Sequence, residues 1–79
     1  MHITIRFFAS FREILGRESL RFDMPADATV EQAWLMLRDQ YPTLPHISLM
    51  FAVNRQYAHA ETILHDGDEL ALIPPVSGG

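Results

Sequence analysis

The sequence predicts an α+β domain in which one main amphipathic helix, helped by a short second helix, covers one face of a mixed sheet. Apolar and polar residues alternate near both ends of the chain, which is the period of a strand. Over one central stretch the apolar residues recur every three to four positions, which is the period of a helix. The 79 residues suffice for one domain, since a second would leave each half too short for a core.

The first strand and the short helix are predicted from the first sixteen residues. Residues 2–9 alternate, and three apolar side chains share one face: Ile3, Ile5 and Phe7. Phe8 is an apolar exception on the opposite, otherwise polar face. Ser10 and Glu13 have the spacing of a capping box, and Gly16 suits the left-handed end of a helix. We therefore expect a helix of one to two turns that is capped by Ser10.

A second strand and the main helix follow. Three apolar residues alternate with polar ones before Pro25, which ends the strand: Leu20, Phe22 and Met24. Thr29 and Gln32 have the spacing of a second capping box. After Thr29, one apolar stripe with helical spacing consists of Val30, Ala33, Trp34, Leu37 and Tyr41. Pro42 disfavours helical angles at the preceding residue, so the helix should end there.

The remaining chain predicts strands separated by turns. Residues 49–53 are wholly apolar, and residues 54–56 can turn the chain back toward Tyr57. Asp-Gly-Asp at 66–68 is a strong turn signal before the last strand, at 69–73. In that strand Leu70 and Leu72 share one face, while Ala71 and Ile73 share the other.

The composition excludes several kinds of chemistry. The chain has six Arg, no Lys, no Cys and a formal net charge of −4. It therefore lacks a thiol nucleophile, a thiolate metal site and a side-chain amine nucleophile. The negative charge argues against a nucleic-acid partner. No apolar stretch approaches the ~20 residues of a transmembrane helix, so we expect no membrane partner. The absence of Cys gives no reason to expect a secreted disulfide scaffold, so we expect a cytoplasmic domain.

Residues 74–79 differ in kind from the domain before them. Two Pro favour an extended exit from the sheet, and at ~3.1 Å per residue the six residues reach about 20 Å. The residues beyond them are small or lack side chains, so they could enter a narrow channel: Val76, Ser77, Gly78 and Gly79. A frayed end without function is the alternative. We predict a domain of residues 1–73 and a flexible tail of residues 74–79.

Four motifs follow one another along the chain: Arg6-Phe7-Phe8-Ala9 with Arg12-Glu13 and Gly16, then Ala52-Val53-Asn54, Asp66-Gly67-Asp68-Glu69 and Pro74-Pro75-Val76-Ser77-Gly78-Gly79. In this order they resemble the MoaD-type small subunits of molybdopterin synthase, ubiquitin-like sulfur carriers of the MoaD/ThiS superfamily. The resemblance implies a β-grasp fold with the first and last strands adjacent and parallel. It would place Phe8 and Ile73 side by side on the face away from the helix. With Tyr57 they would form a partner interface.

The resemblance also implies a function for Gly79. Its α-carboxylate is ionised at neutral pH and is a poor electrophile, and the sequence has no phosphate loop. An E1-like adenylyltransferase of the MoeB type, using ATP and Mg, would adenylate it, and a sulfur donor would convert it to a thiocarboxylate. The tail, with Pro75, Val76, Ser77 and Gly78, would insert into the MoaE-type large subunit. There the sulfur would pass to cyclic pyranopterin monophosphate, within a two-plus-two complex.

In this interpretation the chain is a sulfur-donating subunit that binds no cofactor itself. The four His residues lack metal-ligand spacing, so no metal site is predicted. Three Arg that we expect to be exposed are further candidates for pairing with acidic groups of a partner: Arg6, Arg12 and Arg55. Three alternatives share the fold: a carrier for thiazole synthesis, a ubiquitin-like protein modifier, and a binding module with an idle tail. A modifier of this sequence could not build chains on itself, since it has no Lys.

Overall fold

The structure, a computed structural model, describes residues 1–75 and contains two helices and five strands within them. In chain order these are β1 (His2–Phe7), α1 (Ala9–Leu15), β2 (Ser19–Asp23), α2 (Val30–Gln40), β3 (Met50–Val53), β4 (Gln56–Ala58) and β5 (Glu69–Ile73). The predicted tail residues Val76, Ser77, Gly78 and Gly79 lie outside the described residues.

The five strands form one mixed sheet in the order β2-β1-β5-β3-β4. The central pair, β1 and β5, is parallel, with Phe7 opposite Leu72, and the other pairs are antiparallel. The α+β class is therefore confirmed, and so is the adjacency of the first and last strands that the resemblance implied.

The hydrophobic core lies between one face of the sheet and α2. The strands contribute Ile3, Ile5, Phe7, Phe22, Leu70 and Leu72, and the helix contributes Val30, Ala33, Trp34 and Leu37. Each of these side chains is at most 6% exposed. Fully burying one large aliphatic or aromatic side chain stabilises a fold by ~1.5–3 kcal/mol, so the helix depends mainly on this contact.

Helix α2 begins with the predicted capping box. The Thr29 hydroxyl accepts a hydrogen bond from the Gln32 N–H at 3.2 Å, and the Gln32 side-chain oxygen accepts one from the Thr29 N–H at 2.8 Å. These bonds satisfy two N–H groups at the helix start. The helix ends at Gln40, before Pro42, as the sequence predicted.

The capping box predicted for α1 is wrong. The helix begins at Ala9, its N-cap position is Phe8, and no side chain caps it. Packing sets its position instead, because Phe11 is fully buried and its ring stacks on Trp34 with centroids 5.6 Å apart. The other end follows the prediction, with Gly16 in the left-handed region at φ 67°.

Asn54 connects the turn between β3 and β4 to the start of β5. Its side-chain amide donates to the Asp68 carboxylate at 2.9 Å, and its side-chain oxygen accepts from the Glu69 N–H at 3.0 Å. Its own N–H donates to the Glu69 carbonyl at 2.8 Å. We call this set of bonds the Asn54 clamp. It fixes where β5 begins beside β3.

The turn at Asp66, Gly67 and Asp68 holds the same strand to β1. The Gly67 N–H donates to the His2 carbonyl at 2.7 Å, and the Asp66 carboxylate accepts from the His2 N–H at 2.8 Å. This second bond lowers the pKa of Asp66 below its ordinary value of 3.8. The contribution of this hydrogen bond to the stability of the fold is therefore complete at pH values above the ordinary pKa of Asp66, and it is lost as the pH falls through the lowered pKa.

Replacing Thr29 with Ala should lower the free energy of unfolding by about 1 kcal/mol, because one N–H group of α2 loses its acceptor. Urea denaturation measures this change. Ser10→Ala is the matched control, since it removes a hydroxyl that caps nothing and should stay within about 0.5 kcal/mol of the unsubstituted chain. Equal losses in the two variants would contradict this account of the helix starts.

Asn54→Ala should cost more stability than Asn54→Gly. Both variants lose two side-chain hydrogen bonds of the clamp, each worth about 1 kcal/mol. Asn54 has φ 51°, and in this left-handed region the conformational energy of Ala is about 1–2 kcal/mol less favourable than that of Gly. Thermal and urea unfolding of both variants test the order, and a stable Asn54→Ala chain would refute the clamp.

Candidate functional site

The face of the sheet opposite α2 carries one row of residues in register across four strands. The row consists of Arg6, Ala71, Ala52 and Tyr57, from β1, β5, β3 and β4. The two Ala in the middle are 7% and 8% exposed, whereas Tyr57 at the end is 76% exposed. Short side chains between long ones leave a hollow at the centre of this face.

This hollow has a volume of about 400 Å³, and we call it the outer-face depression. It is lined by Arg6, Phe8, Ala52, Arg55, Tyr57, Glu69, Ala71 and Ile73. All three residues predicted as a partner interface, Phe8, Tyr57 and Ile73, therefore border one concave surface. Ile73 is followed by Pro74, which is buried, and by Pro75, which is exposed, so the chain passes from the edge of the depression into the predicted tail.

Phe8 reaches this surface from a position that differs from the prediction. It follows the last residue of β1 and occupies the N-cap of α1, rather than extending the strand. The parallel register, with Phe7 opposite Leu72, nevertheless brings it beside Ile73. Its ring is 38% exposed and lies 5.7 Å from the Arg6 guanidinium.

The structure separates the three Arg that the sequence could not distinguish. A nitrogen of Arg6 lies 3.9 Å from a carboxylate oxygen of Glu69, inside the depression. Arg12 makes a similar contact with Glu18, but it lies away from the depression. Arg55 is exposed on the rim and makes no side-chain hydrogen bond or ion pair with any residue from 1 to 75.

Sequence reasoning missed part of this surface. No role at this surface was predicted for Glu69, Ala52 or Ala71. Alternation does place Ala71 outward, but only the pairing of β3 with β5 shows that Ala52 lies beside it. The hollow depends on these two small residues being neighbours.

The part of the chain that the structure describes has neither a metal site nor a membrane-spanning helix. Within residues 1–75, no three His, Asp or Glu side chains come close enough together to hold a metal ion. Three of the four His contact other side chains: His2 that of Asp23, His46 that of Arg38 and His65 that of Asp68. Neither helix in this part has the length and apolar character needed to cross a bilayer.

Comparisons with known proteins give the family. The ThiS family profile matches residues 5–79. A molybdopterin synthase sulfur carrier subunit of Chlamydomonas reinhardtii is 34% identical over 83 residues, with all of both chains covered. Small archaeal modifier protein 3 of Haloferax volcanii is 33% identical over 93 residues, again with all of both chains covered.

Solved structures agree on the fold. The crystal structure of SAMP1 from Haloferax volcanii has a TM-score of 0.86 at 30% identity and covers all of both chains. A chain from the complex of subunits 1 and 2 of the molybdopterin-converting factor of Helicobacter pylori has a TM-score of 0.69. It also aligns over all of both chains, and at 23% identity this likeness concerns the fold alone. From its fold, its family profile and its full-length relatives, this chain is a ubiquitin-like β-grasp protein and belongs to the ThiS family.

Proposed function

We propose that the chain is the sulfur carrier subunit of a molybdopterin synthase and that Gly79 carries the sulfur. One structural observation supports this most strongly. Ile73 lines the outer-face depression and directly precedes Pro74, so the tail begins at the edge of a surface suited to a partner. The full-length similarity to molybdopterin synthase sulfur carrier subunits supports the choice of partner.

The depression and the tail have separate tasks in this proposal. A partner that covers the depression holds Ile73 in place, so the six residues after it start from a fixed point. An extended tail then confines Gly79 to within about 20 Å of that point. This confinement raises the effective concentration of the terminal group at the partner's reactive centre.

The chemistry at Gly79 is carried out by other proteins. An E1-like adenylyltransferase joins a carboxylate oxygen to AMP and releases pyrophosphate from ATP. A sulfur nucleophile then attacks the acyl carbon, AMP leaves with that oxygen, and a thiocarboxylate remains. The thiocarboxylate sulfur bonds to a carbon of cyclic pyranopterin monophosphate on the large subunit, and water then cleaves the acyl C–S bond, so that Gly79 returns to a carboxylate. The full-length similarity to molybdopterin synthase sulfur carrier subunits supports a large-subunit partner.

A ubiquitin-like modifier is the second candidate. The 33% identity to small archaeal modifier protein 3, over all of both chains, favours it. The activation of Gly79 would be the same, but the acyl group would pass to an amine of a target protein instead of donating sulfur. A carrier for thiazole synthesis remains a third possibility within the ThiS family and differs only in the acceptor.

Incubation with ATP, Mg, a MoeB-type enzyme and a sulfide source should replace one oxygen of Gly79 with sulfur. Intact mass spectrometry detects this exchange, and fragmentation places it on the last residue. A chain that lacks Gly79 is the control and should show no exchange. An unchanged mass with an enzyme that activates another carrier would overturn the proposal.

The loaded chain then distinguishes the acceptors. With the large subunit and cyclic pyranopterin monophosphate, a molybdopterin synthase carrier should lose its sulfur and form the dithiolene product. Transfer only to a thiazole synthase, or attachment only to Lys of other proteins, would assign one of the alternatives instead.

Phe8→Arg should weaken binding to the large subunit about tenfold or more, because an apolar wall of the depression gains a charge beside Arg6. Leu35→Arg is the matched control, since Leu35 is 49% exposed on α2, behind the sheet. Calorimetric titration measures both affinities, and thermal melts should show both variants folded. Equal binding by the two variants would show that the depression is not the interface.

A further inference from the structure

Arg55 occupies a backbone position that does not suit it. Asn54 and Arg55 form the turn between β3 and β4, and their φ angles are 51° and 70°. Two-residue hairpin turns with both angles positive favour Asn at the first position and Gly at the second. Asn54 fits this pattern, whereas Arg55 stands where a side chain is strained.

Nothing in residues 1–75 compensates for this strain. The Arg55 side chain is exposed and makes no hydrogen bond or ion pair with them. The turn is anchored by Asn54 instead, through its bonds to Asp68 and Glu69. Non-glycine residues held in the left-handed region are found more often at functional sites, including sites that clamp a ligand.

The residues that line the outer-face depression carry one more positive charge than negative charge. Its lining contains two Arg and one Glu. A guanidinium nitrogen of Arg6 lies 3.9 Å from a carboxylate oxygen of Glu69, so the positive charge of Arg6 and the negative charge of Glu69 largely offset each other. The Arg6 guanidinium also lies over the ring of Phe8. Arg55 adds a positive charge on the rim, in a chain whose formal net charge is −4. A carboxylate is therefore attracted to this point and repelled by much of the remaining surface.

The depression itself fits an apolar side chain. Its floor is formed by the methyl groups of Ala52 and Ala71, and its walls include Phe8 and Tyr57. Tyr57 stands 76% exposed, and Tyr and Arg are residue types that contribute strongly to protein interfaces. The occupant that matches both features is a protein segment with a carboxylate close to an apolar side chain.

We propose that Arg55 is a recognition residue, which binds a carboxylate of the large subunit while a neighbouring apolar side chain of that subunit fills the outer-face depression. The choice of the large subunit rests on the proposed function. In this proposal, Arg55 occupies a left-handed position of the turn because its side chain binds the partner, and not because it stabilises the fold.

Three variants test this role by titration of the large subunit from the same genome into the unloaded chain. Arg55→Glu should weaken binding about tenfold, because it replaces attraction with repulsion, and Arg55→Gly about threefold. Arg17→Glu is the control, since Arg17 lies in the loop between α1 and β2, outside the depression, and should bind within about twofold of the unsubstituted chain. The affinity of the unsubstituted chain should fall with added salt, and that of Arg55→Gly should fall less.

A melting measurement separates recognition from stability. Arg55→Gly should melt at the same temperature or higher, because Gly relieves the positive φ. A lower melting temperature would show that Arg55 supports the fold, and binding by Arg55→Glu equal to that of Arg17→Glu would exclude its role in recognition. Either result leaves the proposed function intact if the unsubstituted chain binds and exchanges oxygen for sulfur. Failure of the unsubstituted chain in both assays would overturn both proposals.

Discussion

The parallel pairing of β1 with β5 is the constraint on which the other features depend. Parallel neighbours cannot be joined by a tight turn, so the chain between them must cross over and supply cover for the sheet, which α2 does. The pairing places the end of β1 beside the end of β5. Phe8 and Ile73 therefore meet where the tail begins, although 64 residues separate them in the sequence.

The register of β5 decides which of its side chains form the core and which form the outer-face depression. A slip by one residue would turn Leu70 and Leu72 toward the depression and would bury Ala71 and Ile73 in their place. The Asn54 clamp and the Asp66–Asp68 turn oppose such a slip, because they attach the start of β5 to β3 and to β1. Two of the motifs that carry the family resemblance thus act on strand register, at the end of β5 opposite the tail.

Local patterns predicted the elements well and the surface poorly. The stripe on α2, the Thr29 capping box and the last strand are encoded by residues close in sequence. Ser10 and Glu13 have the same capping pattern as Thr29 and Gln32, yet α1 begins two residues earlier than that pattern predicts, with Phe11 buried against Trp34. The outer-face depression requires Ala52 beside Ala71, a contact across strands that alternation cannot specify. The family resemblance predicted that the first and last strands are neighbours, but it predicted neither the floor of the depression nor the pairing of Arg6 with Glu69.

A carrier that is loaded by one protein and unloaded at another must leave each partner after every transfer. A shallow depression of about 400 Å³ with one surplus charge on its rim suits such exchange, since an exposed ion pair contributes only ~0.2–1 kcal/mol. Steering by charge accelerates association without slowing release to the same extent. Arg6 cannot provide this steering while Glu69 lies beside it, and Arg12 lies near Glu18 away from the depression. Among the Arg that line the depression, Arg55 is therefore the one whose charge is available to a partner.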